Sequence, residues 1–156
     1  EGAPFCVTGV SVTTVIGSVS VSASAVVTED SVVGASADAS KFGNKVLRAY
    51  ISREFPVVPI NPRAPRIENL DCKTSLEDLS KDLPAGVMMN EVGVSIITPP
   101  AVTRSVIMQG YANGARNFFL QPGTYDEAVD ASCVELEGVN VIKSCVLVDL
   151  NCTHLE

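Results

Sequence analysis

The stretch VVGASADASKFGNK, residues 32–45, decides the fold of this chain. Its two valines run into Gly34, and the small residues that follow lead to an aromatic residue and a second glycine. Beyond it, Val46, Leu47 and Tyr50 recur at helical spacing. A short apolar segment that turns at a glycine into an amphipathic helix is typical of a β-α-β unit. The stretch therefore predicts a strand, a tight turn and a helix that begins beside the turn.

The same alternation continues along the chain. Four further segments are predicted strands: PVVPIN (56–61), GVSIIT (93–98), ARNFFLQ (115–121) and VNVIKSCVLV (139–148). Helical patterns lie between them: SLEDL (75–79), PAVTRSVIMQGYANG (100–114) and TYDEAVDASCVELEG (124–138), the last with Thr124 as its N-cap. This order predicts an α/β fold, a three-layer sandwich with a mostly parallel five-stranded sheet.

Composition restricts the partners of the protein. The chain carries 11 basic and 18 acidic residues, for a net charge of −7, and 46% of its residues are hydrophobic. An acidic globular domain lacks the basic surface of a nucleic-acid binder, and no segment reaches the ~18 apolar residues of a membrane helix. We expect a small-molecule ligand, no nucleic acid and no membrane span, and we leave association with itself or with another protein open.

Residues suited to catalysis or metal binding are few. Five cysteines lie at positions 6, 72, 133, 145 and 152 without a C-x-x-C pair, and His154 is the single histidine. This pattern predicts neither a disulfide framework nor a zinc site, and it favours an intracellular protein, cytoplasmic rather than mitochondrial. Neither a Ser-His-Asp set nor a pair of carboxylates near the strand ends is recognisable, so we assign no catalytic residue and no metal ligand.

The first 28 residues differ from the rest in composition. They are dominated by Ser, Thr, Val, Ala and Gly, and they alternate in part, as at Val19 and Val21. Alternation favours extra strands; the alternatives are a poorly ordered arm or a processed targeting segment, although the lack of Lys and Arg argues against the latter. We divide the chain into this arm (1–28), one domain (29–150) and a tail (151–156).

The turn after the first strand is the first candidate site, because ligands of parallel sheets bind beyond the carboxyl ends of the strands. Gly34 permits a sharp turn, and Ala35 and Ser36 allow close approach to the backbone. The helix that follows offers N–H groups to an anion, with Ser36, Ser40 and Lys41 as further donors. The alternative is a turn that only connects strand and helix. The G-x-G-x-x-G pattern is not met, because serine and alanine replace its later glycines.

The end of the second strand carries positive charge. Asn61 lies at its tip, Arg63 and Arg66 follow, and PINPRAPR (59–66) contains no carboxylate. A carboxylate at this position would bind the ribose hydroxyls of NAD. Two guanidiniums instead suit a phosphate, as on NADP or as the 3′-phosphate of coenzyme A, unless they are only solvated surface charges.

The ends of the third and fourth strands complete the edge. Thr98 is a candidate cap for the next helix, and Pro99 fits its first turn. Gln121 and Gly123 follow the fourth strand. The turn after the third strand, taken alone, is equally well explained as a plain connector. Four consecutive strand ends with small, polar or proline-rich turns together predict a nucleotide-binding crevice.

These turns, in this order, resemble the CoA-binding-domain family of small Rossmann-like proteins and, more distantly, the amino-terminal CoA-binding domain of the succinyl-CoA ligase α subunit. The matching segments are VVGASADASKFGNKV, PVVPINPRAP, SLEDL, SIITPPAV and FFLQPGTYDEAV. The resemblance implies a Rossmann-like sheet that holds CoA along its carboxyl edge. It implies contacts from Gly34, Ala35, Ser36, Ser40, Lys41, Phe42, Asn61, Pro62, Arg63, Thr98, Pro99, Pro100, Gln121, Pro122 and Gly123.

Two further features bear on the resemblance. Cys145 matches a cysteine in the last strand of the family, where it is either a buried apolar thiol or a thiol close enough to CoA for a mixed disulfide. Glu29 and Asp30 stand where the family's first strand is apolar. Either the first strand is short, or residues 1–28 pack differently from the family.

The resemblance and the residues together predict non-catalytic binding of CoA or acyl-CoA. The ligase relatives use a phosphorylated histidine from a second domain, and no suitable histidine is present here. One alternative is an NADP-binding oxidoreductase or redox sensor, which Arg63 and Arg66 permit. Another is a structural or interaction protein that keeps a vestigial Rossmann fold and assembles through its amino-terminal arm.

Overall fold

The computed structural model describes residues 14–16, 19–21 and 29–155. In the amino-terminal arm, strands β1 (Thr14–Ile16) and β2 (Val19–Val21) pair antiparallel. The rest of the predicted arm, and Glu156 of the predicted tail, lie outside the described residues.

The domain alternates strands and helices in the predicted order. The strands are β3 (Glu29–Val33), β4 (Val57–Ile60), β5 (Arg66–Ile67), β6 (Leu70–Asp71), β7 (Val92–Ile96), β8 (Asn117–Leu120) and β9 (Asn140–Lys143). The helices are α1 (Phe42–Ser52), α2 (Leu76–Lys81), α3 (Pro100–Ala112), α4 (Glu127–Val134) and α5 (Val146–Asp149). Single 3₁₀ turns occupy Met89–Glu91 and Thr153–Leu155.

The predicted five-stranded sheet is confirmed, and all of its pairings are parallel. Its strand order is β4-β3-β7-β8-β9. The chain goes from β3 outward to β4 and then crosses to the other side of β3, so the boundary between β3 and β7 is the topological switch point. The register aligns the last residues of the strands across the sheet: Ile60, Val33, Ile96, Leu120 and Lys143.

Helices cover both faces of the sheet. α1 and α5 enclose one apolar core with Val32 of β3, and α2, α3 and α4 enclose the other with Val33. Consecutive strand residues point to opposite faces, which is why these two valines enter different cores. No helix in the described part of the chain is long and apolar enough to cross a membrane.

The acidic residues of the first strand lie inside the sheet. Glu29 and Asp30 pair in register with Val92 and Gly93 of β7, and Asp30 is fully buried. β3 runs from Glu29 to Val33, so both acids belong to the first strand of the sheet.

The predicted cap of the fourth helix is wrong. Asp126, not Thr124, precedes α4, and its carboxylate accepts a hydrogen bond from the Val129 N–H at 2.9 Å. The Thr124 hydroxyl donates instead to the Gln121 carbonyl at 2.6 Å. Asp competes well for this position because its carboxylate also complements the helix dipole.

Two more local predictions need correction. Pro99 occupies the N-cap of α3, while the Thr98 hydroxyl lies 2.8 Å from the Thr103 hydroxyl. The last strand ends at Lys143, and Cys145 stands at the N-cap of α5 rather than in a strand. Helix α5 begins here because the buried Gln121 side chain accepts the Val146 N–H, at 2.9 Å.

The hairpin between β4 and α2 was not predicted from the sequence. β5 and β6 form a hairpin whose two turn residues, Glu68 and Asn69, have φ values of 50° and 64°. Left-handed conformations at both central residues are typical of tight hairpin turns, and Asn tolerates them well. The hairpin follows the end of β4 and therefore lies close to the candidate site.

Candidate functional site

The four predicted turns lie at one edge of the sheet. Because the last residues of the strands are in register, Gly34, Asn61, Ile97 and Gln121 begin neighbouring turns. We call residues 34–41 the glycine turn. It lies beside the end of β7, at the switch point, where ligands of such sheets bind.

The glycine turn is packed directly against the start of α1 by two glycines. Gly34 has φ +92°, and a Cβ on it would lie 2.9 Å from the Ile97 carbonyl oxygen. A Cβ on Gly43 would lie only 2.0 Å from the Gly34 carbonyl oxygen. The contact between the turn and α1 needs a glycine at position 43, so Gly43 has the helix-packing role that the third glycine has in dinucleotide-binding turns.

The start of α1 is not capped by a side chain. Lys41 is the N-cap residue, its side chain makes no capping hydrogen bond, and no acidic residue lies in the first turn. The first N–H groups of a helix have no partner within the helix, and they carry the positive end of its dipole. The end of α1 that meets the glycine turn is therefore suited to an anion.

Hydrogen bonds within the glycine turn engage two of its predicted donors. The Ser36 hydroxyl accepts the Asp38 N–H at 3.1 Å, and the Ser40 hydroxyl donates to Asp38 at 2.7 Å. The bonds from the Ser40 side chain and backbone lower the pKa of the Asp38 carboxyl, with a smaller effect of Lys41. The Ser36 hydroxyl keeps its proton free to donate, whereas that of Ser40 is used inside the turn.

Asn61 ties the end of β4 to the glycine turn. Its Nδ2 donates to the Ala35 carbonyl at 2.8 Å, and its Oδ1 accepts the N–H groups of Arg63 and Ala64 at 2.8 and 3.0 Å. Asn61 therefore lies beside the glycine turn, and its amide is occupied by backbone groups. Pro62 next to it is exposed.

The two arginines of this end differ. The Arg66 guanidinium pairs with Asp71 at 3.1 Å and donates to the Asn69 carbonyl at 2.7 Å, so it is used within the hairpin. The exposed Arg63 guanidinium has neither a hydrogen bond nor an ion pair to the described residues. Of the two, Arg63 is the one available to a phosphate.

The hairpin brings a carboxylate to this end of the sheet. Glu68 accepts a hydrogen bond from Asn44 Nδ2 at 2.8 Å, and Asn44 belongs to the first turn of α1. The inference that no carboxylate lies here holds for residues 59–66 but not for the folded site. Sequence reasoning missed Glu68 because only the unpredicted hairpin places it there.

The third and fourth turns form the other side of the edge. Pro99 is exposed and Pro100 is half-buried, as is Phe42 at the start of α1. Pro122 and Gly123 are exposed, and no atom would contact a Cβ on Gly123.

Gln121, by contrast, is fully buried. Its Oε1 accepts the Val146 N–H, which fixes the amide orientation, and its Nε2 has no partner among the described residues. The half-buried Cys145 is the residue before Val146, so its thiol belongs to this end of the sheet.

A surface cavity lies at the opposite edge of the sheet. It measures about 610 Å³ and is lined by Ser80, Lys81, Leu83, Val87, Met88, Met89, Asn90, Asn113, Gly114 and Arg116. These residues precede β7 and β8 or end α2 and α3, and none of them was predicted as a site residue. In residues 29–155, no three His, Cys, Asp or Glu side chains cluster closely enough for a metal ion.

The fold and the glycine turn define a class of small Rossmann-like domains in which the carboxyl edge of the sheet is suited to a nucleotide. Residues 31–151 match the model of the family described as CoA binding domain, and the chain belongs to that family. The family resemblance read from the sequence is thereby confirmed. No curated protein matches the chain.

Solved structures have the same fold. A conserved hypothetical protein from Pyrococcus furiosus is 29% identical, with a TM-score of 0.65 over 78% of this chain and 97% of that one. A hypothetical protein from Pyrococcus horikoshii OT3 is 21% identical, with a TM-score of 0.66 over 79% and 81%. A Thermus thermophilus protein is 22% identical, with a TM-score of 0.63 over 82% and 90%.

Proposed function

We propose that this protein binds coenzyme A or acyl-CoA along the carboxyl edge of its sheet. Membership of the CoA-binding family supports a CoA-like nucleotide in general. The observation that carries the proposal is the uncapped amino terminus of α1, packed by Gly43 against the glycine turn at the switch point. A pyrophosphate suits this place, because N–H groups and the helix dipole both favour negative charge.

In this proposal the remaining turns contact different parts of the ligand. The unpaired Arg63 meets the 3′-phosphate of CoA, and Lys41 adds positive charge beside the pyrophosphate. Pro99, Pro100 and Pro122 form a rigid apolar border for the adenine or the pantetheine arm. Each of these contacts is part of the proposal.

We further propose that the protein performs no chemistry on the bound CoA. The Ser40 hydroxyl is bonded to Asp38, but the lowered pKa of Asp38 makes this carboxylate a weak base. If the protein only binds, incubation with acetyl-CoA releases no free CoA thiol above the rate in buffer. Release that depends on the protein, and that Ser40→Ala abolishes, would contradict this part.

Thermal unfolding of reduced protein with a panel of ligands tests the binding. A ligand present at 100 times its Kd stabilises the folded state by about 2.7 kcal/mol. We expect CoA and acetyl-CoA to raise Tm, NAD to have no effect, and NADPH to have a smaller effect through Arg63. A larger shift with NADPH than with CoA would favour an NADP-binding protein. No shift with any ligand would leave the fold without a nucleotide function.

A further inference from the structure

We propose that Asn44, Asn61 and Arg48 are positioning residues that turn the N–H groups of Ser36 and Ala37 outward to form an anion-binding nest. The inference deepens the proposed function and rests on it, since the anion is the pyrophosphate of the ligand. It assigns Asn61 a different role from the direct ligand contact implied by the sequence.

Three backbone carbonyls of the glycine turn accept hydrogen bonds from side chains outside the turn. Asn61 Nδ2 donates to the Ala35 carbonyl at 2.8 Å, and Asn44 Nδ2 donates to the Ser36 carbonyl at 2.9 Å. Arg48 Nη2 donates to the Ala39 carbonyl at 3.1 Å. The donors come from the end of β4 and from two successive turns of α1, so the turn is held from two directions.

Because the peptide bond is planar, these contacts also fix the directions of the neighbouring N–H groups. In a trans peptide, the C=O of one residue and the N–H of the next point in opposite directions, and the described residues contain no cis peptide. The Ser36 N–H therefore points away from Asn61, and the Ala37 N–H points away from Asn44. Neither N–H donates a hydrogen bond to the described residues.

Two successive N–H groups on the open side of a turn form a concave site for an anion. Ala37 is exposed and Ser36 is half-buried, so both peptides can be reached from solvent. The third contact, from Arg48 to the Ala39 carbonyl, does not add an N–H group to the nest. The N–H group of that peptide, on Ser40, already donates to the Asp38 carboxylate at 2.9 Å. The nest is thus limited to the first two peptides, beside the start of α1.

Asn44 is held in one orientation by its own neighbours. It is fully buried, its Oδ1 accepts from Arg48 Nε at 2.7 Å, and its two Nδ2 hydrogens go to the Ser36 carbonyl and to Glu68. A flipped amide would oppose donor to donor and acceptor to acceptor at all three contacts. Glu68 and Arg48 therefore help to fix the Ser36 peptide through Asn44.

The test combines amide NMR spectra with calorimetry. Inorganic pyrophosphate and, separately, CoA are titrated into ¹⁵N-labelled wild-type protein. Asn44→Ala is compared with the matched control Asn117→Ala, which also loses an Nδ2 bond to a backbone carbonyl, that of Asn90 at 2.8 Å, but at the opposite edge. We expect both ligands to move the Ser36 and Ala37 N–H resonances most in the wild type. We expect CoA affinity to fall about tenfold in Asn44→Ala and by no more than about twofold in the control.

The possible outcomes distinguish failure of the nest from failure of the proposed function. If CoA binds the wild type but neither ligand moves the Ser36 and Ala37 resonances, the nest is wrong while the proposed function stands. A folded Asn44→Ala with unchanged CoA affinity would overturn the positioning role. If pyrophosphate moves these resonances and CoA does not bind, the nest stands and the proposed function fails. The wild-type titration decides whether the nest binds the anion even if Asn44→Ala does not fold.

Discussion

The polar groups at the two ends of β3 differ in their hydrogen bonding. Beyond its carboxyl end, the Ala35 and Ser36 carbonyls each accept a hydrogen bond from an asparagine side chain. At its amino end, both carboxyl oxygens of the fully buried Asp30 and one of Glu29 have no hydrogen-bond partner among the described residues. An unsatisfied buried polar group reduces stability, and within the described residues the polar groups are paired beyond the carboxyl end of the strand and unpaired at its amino end.

The contrast is visible in the protonation of the acids. Burial, reinforced by the nearby charge of Glu29, raises the pKa of Asp30 well above its usual range. Burial likewise raises the pKa of Tyr50, and Asp30 adds to the effect. The amino end of β3 therefore favours a neutral carboxyl group, whereas Asp38 in the glycine turn stays ionised.

The largest expected effect is at the glycine contact beyond the carboxyl end of β3. In Gly43→Ala the new Cβ meets the Gly34 carbonyl oxygen at 2.0 Å, so α1 has to move away from the turn. We expect the free energy of unfolding to fall by about 3 kcal/mol, with loss of CoA binding. Urea denaturation and calorimetry measure both.

The control is the other glycine within a described helix. In Gly110→Ala the new Cβ meets side-chain atoms of Leu76 and Phe118, at 2.9 and 3.0 Å, which can shift. We expect a loss of about 1 kcal/mol and unchanged affinity for CoA. Equal effects of the two changes would contradict a special contact at Gly43.

At the amino end of β3 we expect a substitution to raise the free energy of unfolding rather than lower it. Asp30→Val removes a buried carboxyl group that has no hydrogen-bond partner in the described part of the chain, and it should raise the free energy of unfolding at neutral pH by about 2 kcal/mol. The exposed Asp71→Val, which loses only a surface ion pair, should change it by no more than about 1 kcal/mol.

The pH dependence of unfolding tests independently whether the Asp30 carboxyl group lowers or raises stability. Because the pKa of Asp30 is raised above its ordinary 3.8, the folded protein retains a proton that the unfolded chain has released. Wild-type stability therefore falls as pH rises from the ordinary value through the folded one, and Asp30→Val lacks this loss. Urea denaturation at about pH 4 and about pH 7 should show the gap between variant and wild type widening with pH. A gap that narrows would mean that Asp30 is ionised and paired in the folded protein.

The smallest expected effect concerns the two arginines after β4. Arg63→Ala should weaken CoA about tenfold and dephospho-CoA less, because the 3′-phosphate is absent from the latter. Arg66→Ala should alter neither affinity by more than about twofold, since Arg66 is engaged by Asp71 and Asn69. Calorimetry with both ligands checks this. An equal loss for CoA and dephospho-CoA in Arg63→Ala would remove the 3′-phosphate from this position.

The comparison also shows what sequence can foretell. The alternation of strands and helices, the parallel sheet and the turn at Gly34 follow from local patterns along the chain, and the sequence predicts them. The contact of Gly43 with Gly34 and the bond of Asn44 to Glu68 join residues 9 and 24 positions apart. They depend on how α1 and the hairpin pack, which no local pattern encodes. The segment VNVIKSCVLV is predicted as one strand that includes Cys145, yet the buried Gln121 accepts the Val146 N–H and a helix begins there.

A crystal structure of the reduced protein with CoA tests the central claim most directly. The account predicts one CoA at the carboxyl edge, with its pyrophosphate against residues 34–37 and the start of α1, and its 3′-phosphate near Arg63. CoA bound instead in the cavity lined by Lys81 and Arg116, or a glycine turn left empty at saturating CoA, would contradict it.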